Sequence, residues 1–116
     1  MSDSIPERWH IDAGPADIAV LDVPPALGRT RRFDIDVAFV VRRPAEGLSA
    51  WHELAVELDG RRQWTRRIDT SNPGQTDGLD YHVRIDVPAG APLRVRALTR
   101  VSGAARVRLQ IEAVEG

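Results

Sequence analysis

Two tryptophans and four charged residues of one predicted hairpin are the best candidates for a binding site. If the hairpin pairs regularly, one face carries Trp51, Glu53, Glu57, Arg62, Trp64 and Arg66. The two indole rings would then stand roughly 13 Å apart along the ribbon, at ~3.3 Å per residue. Aromatic rings bordered by carboxylates and guanidinium groups can stack on a sugar and bind its hydroxyls or an acidic group. We therefore predict a saccharide or an acidic ligand on this face.

The alternative is that both rings are covered, because large apolar side chains on a hairpin face are usually buried against something. Another strand, the N-terminal segment with Trp9, or a second subunit could cover Trp51 and Trp64. If a second subunit does so, this face serves self-association, and the protein is a structural or assembly component that forms a homodimer.

The geometry of the predicted site depends on a two-residue turn at Asp59-Gly60. This dipeptide suits the positive φ values of a type I′ turn, and it separates two alternating runs, 51–58 and 61–68. Opposite charges then face each other across the strands, which favours this register over a slip by one residue. The predicted pairs are Glu57 with Arg62, Glu53 with Arg66, Ala55 with Trp64, and Trp51 with Ile68.

Arginine supplies all 16 basic residues of the chain, and lysine is absent. Coding bias toward arginine in a GC-rich genome is one interpretation of this composition, and a guanidinium-lined surface for carboxylates or phosphates is the functional alternative. The last two strands are predicted to form a hairpin with Arg100 opposite Arg106 and Glu112 near Arg94. Facing arginines need an acidic neighbour, which a nearby strand, a ligand or a protein partner could supply. The predicted interaction surface consists of Arg94, Arg96, Arg100, Arg106 and Arg108.

Histidines and acidic residues offer two metal-binding hypotheses. His10, His52 and His82 could hold zinc, but no close His-X-His spacing indicates that they converge. Calcium could bind oxygen ligands from one strand and from the loop 69–80. These calcium ligands would be Asp34, Asp36, Asp69, Asn72, Asp77 and Asp80. No metal ligand is assigned, and calcium is the one cofactor that the sequence suggests.

Two short pieces of the chain resemble the calcium-binding TerD-like β-sandwiches. They are the stretch FDIDVAF at 33–39 and the Gly-rich acidic loop at 69–80. That family's acidic run after the glycines is replaced here by Gly78-Leu79-Asp80-Tyr81, which removes two of the ligands that the resemblance implies. The resemblance therefore does not assign the chain to the family.

Little in the sequence favours catalysis. Cysteine is absent, and the few serines lie near the termini or in turns, so no nucleophile is paired with a histidine. Glu53 and Glu57 face arginines, which favours their ionised form and makes them poor general acids. No glycine-rich phosphate-binding motif is present. A small metal-dependent enzyme that uses the histidines is the remaining enzymatic hypothesis.

Length and composition predict one domain. The chain has 116 residues, and its 42% hydrophobic content suffices for a single core. A formal net charge of -1 argues against a nucleic-acid partner. The sequence shows neither a secretory signal nor a membrane-spanning run, so we expect a soluble, cytoplasmic protein without a membrane partner. Residues 1–7 are predicted to be a flexible tail, and residues 8–116 form the domain.

Alternating apolar residues predict an all-β fold of about eight short strands, with turn residues between them. The run 32–43 has the most regular alternation and is predicted to be a core strand. The pattern favours an antiparallel two-sheet β-sandwich of jelly-roll or immunoglobulin-like type. The functional hypothesis is a non-catalytic binding module for a saccharide or an acidic ligand.

Overall fold

A computed structural model describes residues 5–44, 49–71 and 74–116, and these residues form eight β-strands. The strands alternate apolar and polar residues, and glycine- and proline-containing turns separate several of them. The described residues contain no helix that could span a membrane. The strands are β1 (Arg8–Asp12), β2 (Ile18–Val23), β3 (Arg31–Arg42), β4 (Trp51–Leu58), β5 (Arg61–Asp69), β6 (Thr76–Val87), β7 (Leu93–Ser102) and β8 (Ala105–Glu115).

The strands form two antiparallel four-stranded sheets, which confirms the predicted β-sandwich. The first sheet has the order β1-β8-β3-β6, and the second has the order β2-β7-β4-β5. The first strand pairs with the eighth, the second with the seventh, the third with the sixth, and the fourth with the fifth. The chain is thus one long hairpin ribbon rolled up around the β4–β5 turn. This is the strand order of a jelly roll.

The hydrophobic core lies between the two sheets and is built from the inward positions of their strands. The inward residues of β3 are Phe33, Ile35, Val37, Phe39 and Val41, each at most 1% exposed. The period-two pattern predicted this face, and the prediction is confirmed. Full burial of one such side chain stabilises the folded state by about 1.5–3 kcal/mol, before the entropic cost of ordering the chain is subtracted.

A buried arginine closes one end of the sandwich. The side chain of Arg31, at the start of β3, is 1% exposed. Its guanidinium donates hydrogen bonds to the Glu7 carboxylate at 2.8 Å and to the carbonyl oxygens of Pro24 and Ala91 at 2.9 and 3.3 Å. These contacts join the N-terminal segment, the β2–β3 connection and the β6–β7 connection.

Glu7 also links the two ends of the chain. Its carboxylate accepts a hydrogen bond from Trp9 Nε1 at 2.9 Å, and Arg29 contacts both Glu7 and Glu115. The backbone N–H of Glu7 donates to the Glu115 carboxylate at 3.1 Å. Glu7, predicted to belong to a flexible tail over 1–7, is instead held in the fold. The first four residues lie outside the described ranges.

The predicted hairpin of β7 and β8 is wrong. Their connection is as short as a hairpin turn, yet the two strands belong to different sheets. Gly103 forms this corner with a φ of 66°, and a Cβ there would lie 2.7 Å from the Ser49 carbonyl oxygen. The corner therefore requires glycine. As a result, Arg100 lies opposite Glu53 of β4 and not opposite Arg106.

Candidate functional site

The turn of the β4–β5 hairpin is as predicted, but its ladder contains a bulge. Asp59 and Gly60 have φ values of 50° and 82°, as a type I′ turn requires, and Glu57 lies opposite Arg62. Beyond this pair the register shifts by one residue, which leaves Gln63 unpaired in the ladder. The observed pairs beyond the bulge are Val56 with Trp64, Ala55 with Thr65, Leu54 with Arg66, Glu53 with Arg67, His52 with Ile68, and Trp51 with Asp69.

The bulge places the two tryptophans on opposite faces, so the prediction that they share a face is wrong. Trp51 stays on the outer face, where the Arg67 guanidinium lies 3.6 Å from the ring centroid. Trp64 turns inward and stacks on Tyr81 of β6, with ring centroids 4.9 Å apart. The bulge is favourable because it partly buries an indole that a regular ladder would expose. Trp64 and Ile68 are the only apolar residues of β5, and the single bulge turns both inward.

The six predicted ligand-binding residues consequently fall into two groups. Four of them lie on the outer face of the second sheet, and two lie along the side of the sandwich where the edge strands β5 and β6 meet, which we call the seam. The predicted pair Glu53 with Arg66 is replaced by Glu53 with Arg67. The self-association surface that required both tryptophans on one face is therefore not formed. The outer group is Trp51, Glu53, Glu57 and Arg62, and the seam group is Trp64 and Arg66.

A first row of alternating charge crosses the outer face of the second sheet. This Glu57 row consists of Arg96 on β7, Glu57 on β4 and Arg62 on β5. The Glu57 carboxylate lies 3.5 Å from Arg96 and 3.7 Å from Arg62. Arg62 also donates a hydrogen bond to Thr65 Oγ1 at 2.9 Å. One carboxylate is therefore shared between two guanidinium groups at long distances.

A second row runs parallel to the first. This Glu53 row consists of Arg100 on β7, Glu53 on β4 and Arg67 on β5. Arg67 contacts the Glu53 carboxylate at 3.1 Å. The exposed Arg100 guanidinium forms no hydrogen bond or ion pair with any residue in the described ranges. Together the two rows place four guanidinium groups beside two carboxylates, so the rows themselves carry an excess of positive charge.

An apolar strip separates the two rows. It consists of Ile18, Leu98 and Ala55, which are neighbours across β2, β7 and β4. Ile18 is 39% exposed, which is high for an isoleucine within a strand. The strip forms the floor of a depression of about 290 Å³, and Arg62 and Arg100 stand at its margin. Apolar contact and two cationic groups are thus available in one place, together with the carboxylates of Asp17 and Glu53, which also line the depression.

A larger depression of about 730 Å³ adjoins this one at the hairpin end of the sheet. Here Arg94 is paired with Asp22, with Nε 2.7 Å from Oδ1, and this hydrogen bond raises the pKa of Arg94. The backbone N–H of Arg94 donates to the Asp59 carboxylate at 2.9 Å. Arg94 is therefore already neutralised and is a weaker candidate for binding a ligand than Arg100.

Arg106 and Arg108 belong to the first sheet and take no part in this site. Arg106 donates hydrogen bonds to Thr99 Oγ1 and to the Thr99 carbonyl oxygen at 2.9 and 3.2 Å. Arg108 lies 3.5 Å from Asp12. The predicted contact of Glu112 with Arg94 is wrong, because Glu112 lies between β1 and β3 in the other sheet. The predicted arginine surface is thus divided between two sheets.

The residues considered for zinc do not converge. His52 is fully buried, with Nδ1 2.7 Å from Thr70 Oγ1 and its ring against the edge of Phe39. His10 and His82 lie on opposite edge strands of the first sheet, separated by β8 and β3. In the described part of the chain, no three His, Asp or Glu side chains are grouped to hold a metal ion.

The acidic residues considered for calcium are engaged or dispersed. Arg84 donates a hydrogen bond to Asp34 at 2.9 Å, which lowers the pKa of that carboxyl group. Asp77 accepts a hydrogen bond from the backbone N–H of Ser71 at 3.1 Å. Asp80 lies on the outer face of β6, opposite an alanine of β3. The remaining predicted ligands are Asp36 on β3, Asp69 at the end of β5, and Asn72, which lies outside the described residues.

The sequence matches no family model, and no curated protein is significantly similar to it. Among solved structures, the chain is similar to part of dimeric latent PorU from Porphyromonas gingivalis, with a TM-score of 0.56 and 11% sequence identity. The similarity covers 92% of this chain but only 10% of the PorU chain. Likeness at this level of identity establishes the fold alone.

Two further structures are more distant. Chicken MD-1 complexed with lipid IVa has a TM-score of 0.37 and 16% identity, over 100% of this chain and 94% of that one. A chain of infectious bursal disease virus, Gt strain, has a TM-score of 0.34 and 17% identity, over 96% of this chain and 30% of that one. Neither similarity bears on function.

Proposed function

We propose that the protein is a non-catalytic binding module that holds a small organic acid with an apolar part. The supporting observation is the position of Arg100, an exposed guanidinium without an acidic partner among the described residues, at the margin of the apolar strip. A ligand carboxylate between Arg100 and Arg62 would form charge-assisted hydrogen bonds, which are stronger than neutral ones. The hydrocarbon part of the ligand would cover Ile18 and Leu98.

The size of the depression supports a small ligand. Its volume of about 290 Å³ lies near the lower end of the range for small-molecule sites. Neutral saccharides fit this face less well, because Arg67 stacks over one face of Trp51 and the other predicted platform, Trp64, points into the seam. An acidic saccharide could still use the guanidinium groups, so it belongs among the probes.

Amide chemical-shift mapping with four probes tests the proposed function. The probes are octanoate, octanol, inorganic sulfate and glucuronate, which separate charge, hydrocarbon and sugar. We expect saturable shifts from octanoate at Leu98, Ala55 and their neighbours. Octanol and sulfate, which each lack one of the two features, should bind more weakly.

The residues whose amide signals shift, together with the relative affinities of the four probes, decide whether the proposed site is correct. Octanoate shifts confined to the first sheet would contradict the proposed site, as would equal binding of octanol and octanoate. Stronger binding of glucuronate than of octanoate at this face would replace the organic acid with an acidic saccharide.

A further inference from the structure

The seam contains a strand with a free backbone edge. β6 is the outermost strand of the first sheet and is twelve residues long. Among the described residues, none outside β3 forms a backbone hydrogen bond with the segment 79–87. Every second N–H and C=O of this segment therefore points away from the sheet, as in strands that accept an additional strand from a partner.

The other edge strands of the sandwich carry features that discourage such pairing. β1 has five residues, and β2 has six and is followed by two prolines. β5 contains the bulge at Gln63 and four arginines. Short length, proline, bulges and clustered charge all protect sheet edges. β6 is long, contains no proline, and has no register shift against β3.

Side chains along the seam indicate what a partner strand would carry. On β6, Val83 and Ile85 face inward but remain only half-buried. Across the seam, Arg61 and Arg66 occupy inward positions of β5, opposite Leu58 and Leu54 in the ladder. Both arginines are exposed, and neither guanidinium forms an ion pair or hydrogen bond with a residue in the described ranges. The inward positions of the two strands thus provide two guanidinium groups without a described acidic partner on β5 and partly exposed apolar side chains on β6.

The outer side of β6 carries both acidic and basic side chains. Asp80 and Asp86 flank His82 and Arg84 there. Arg84 is paired with Asp34, and Asp86 with Arg32. A partner strand with acids on its outer side would meet Asp80, which forms no ion pair with a described residue, and this repulsion would cost stability. Acidic side chains are therefore favoured only at the alternate positions that face inward.

We propose that β6 binds an extended acidic segment of another protein, which adds a strand to the first sheet. The backbone groups of 79–87 would hydrogen-bond the added strand. Acidic side chains on its inner side would contact Arg61 and Arg66, and their methylene groups would cover Val83 and Ile85. This site is separate from the outer face of the second sheet and does not depend on Arg100.

A second copy of the chain is a poor occupant of this edge. The stack of Trp64 on Tyr81 places β5 beside β6, so pairing two β6 edges would bring two β5 strands together. Each of them carries four arginines, and this repulsion opposes a dimer.

Hydrogen exchange and calorimetry with a designed peptide test the proposal. The probe is a peptide of about ten residues, a typical strand length, that alternates Glu with Thr. We expect it to slow exchange at alternate amides of 79–87. Replacing its glutamates with lysines, or its central threonine with proline, should abolish binding.

Paired variants locate the contact. Arg61→Gln with Arg66→Gln should weaken peptide binding about tenfold, in line with the loss of two partly exposed ion pairs. Arg8→Gln with Arg108→Gln removes equal charge from the outer face of the first sheet and should leave the affinity unchanged, as should Arg100→Gln.

Four results would overturn the proposal. The first three are an unchanged affinity in the seam variant, equal binding of the lysine peptide, and protection of 79–87 that depends on protein concentration in the absence of peptide. The third result would identify a second copy as the occupant. Loss of peptide binding in Arg100→Gln would place the peptide on the outer face instead and would also overturn the seam assignment.

Discussion

Trp64 of β5 stacks on Tyr81 of β6 with an interplanar angle of 20°, and this pair joins the two sheets along one side of the sandwich. The strands that carry the two rings share no backbone ladder. The stack exists because the bulge at Gln63 turns Trp64 inward. Trp51 of β4 lies on the outer face near Arg67 and Glu53, so the two tryptophans lie on opposite faces of the second sheet.

Loss of the Trp64 ring should destabilise the fold. We expect Trp64→Ala to lower the free energy of unfolding by about 2 kcal/mol, less than for a fully buried tryptophan because the ring is only partly buried. Urea denaturation measures this change. Trp51→Ala, which removes an equal ring from the outer face, is the control and should lower the free energy of unfolding by a smaller amount. Equal losses would show that the stack on Tyr81 adds nothing.

Gly103 is expected to tolerate no side chain. Gly103→Ala combines a positive φ with a contact of 2.7 Å to a backbone oxygen, so something must shift. Gly90→Ala is the matched control, since its φ is 79° and no atom lies within 4 Å of the added Cβ. We expect Gly90→Ala to lower the free energy of unfolding by about 1 kcal/mol, and Gly103→Ala to lower it clearly more. Similar thermal unfolding of the two variants would contradict this corner geometry.

Buried Arg31 and partly exposed Glu7 should behave as a coupled pair. Arg31→Met removes a guanidinium that also donates to two carbonyl oxygens, and we expect it to cost about 3 kcal/mol. Glu7→Gln should cost less, because its carboxylate is partly exposed. The double variant should lose less than the sum of the single losses. Additive losses in a double-mutant cycle would indicate that the two groups do not interact.

The carboxylates of Glu7 and Glu115 should make stability depend on acid pH. Burial raises the pKa of Glu7, but hydrogen bonds from Trp9, Arg31 and Arg29 outweigh it and leave the pKa below its ordinary value. The pKa of Glu115 is lowered by the backbone N–H of Glu7 and by Arg29, against an opposing effect of burial.

A lowered pKa in the folded state fixes the sign of this dependence. Each carboxylate contributes stability above its pKa in the unfolded chain, about 4.3, and loses it as the pH falls through the lower folded-state value. Urea denaturation between pH 7 and pH 3 should therefore show a falling free energy of unfolding. Glu115→Gln should flatten this loss, whereas the exposed control Asp80→Asn should follow the wild type. Parallel curves for all three proteins would refute the assignment.

Local patterns predicted most of the fold. The alternation of β3 and the Asp59-Gly60 turn depend on neighbouring residues, and the structure confirms them. The connection at Gly103 was not predictable in the same way, since a short turn suits a hairpin and a corner between sheets equally well. Packing of the whole ribbon decides which strands pair with β7 and β8. Because β7 pairs with β4 and not with β8, Glu53 and not Arg106 lies opposite Arg100.

The sequence predicted which four hairpin residues share a face at the candidate site, but not which residues of other strands lie beside them. Glu53, Glu57, Arg62 and Trp51 do share an outer face, because the turn sets the first pair of the ladder. The partners from β7 were missed, since non-local pairing placed Arg96 and Arg100 beside β4. The apolar strip could not be predicted either, because Ile18, Leu98 and Ala55 belong to three segments that are far apart in the sequence.

The affinity for octanoate, compared between Arg100→Gln and Arg8→Gln by isothermal titration calorimetry, tests the proposed binding function most directly. Both variants remove one exposed positive charge, the first beside the apolar strip and the second on the outer face of the first sheet. We predict that Arg100→Gln weakens binding about tenfold, as expected for a lost charge-assisted hydrogen bond, while Arg8→Gln leaves it unchanged. Equal affinities of the two variants would contradict a ligand site on the outer face of the second sheet.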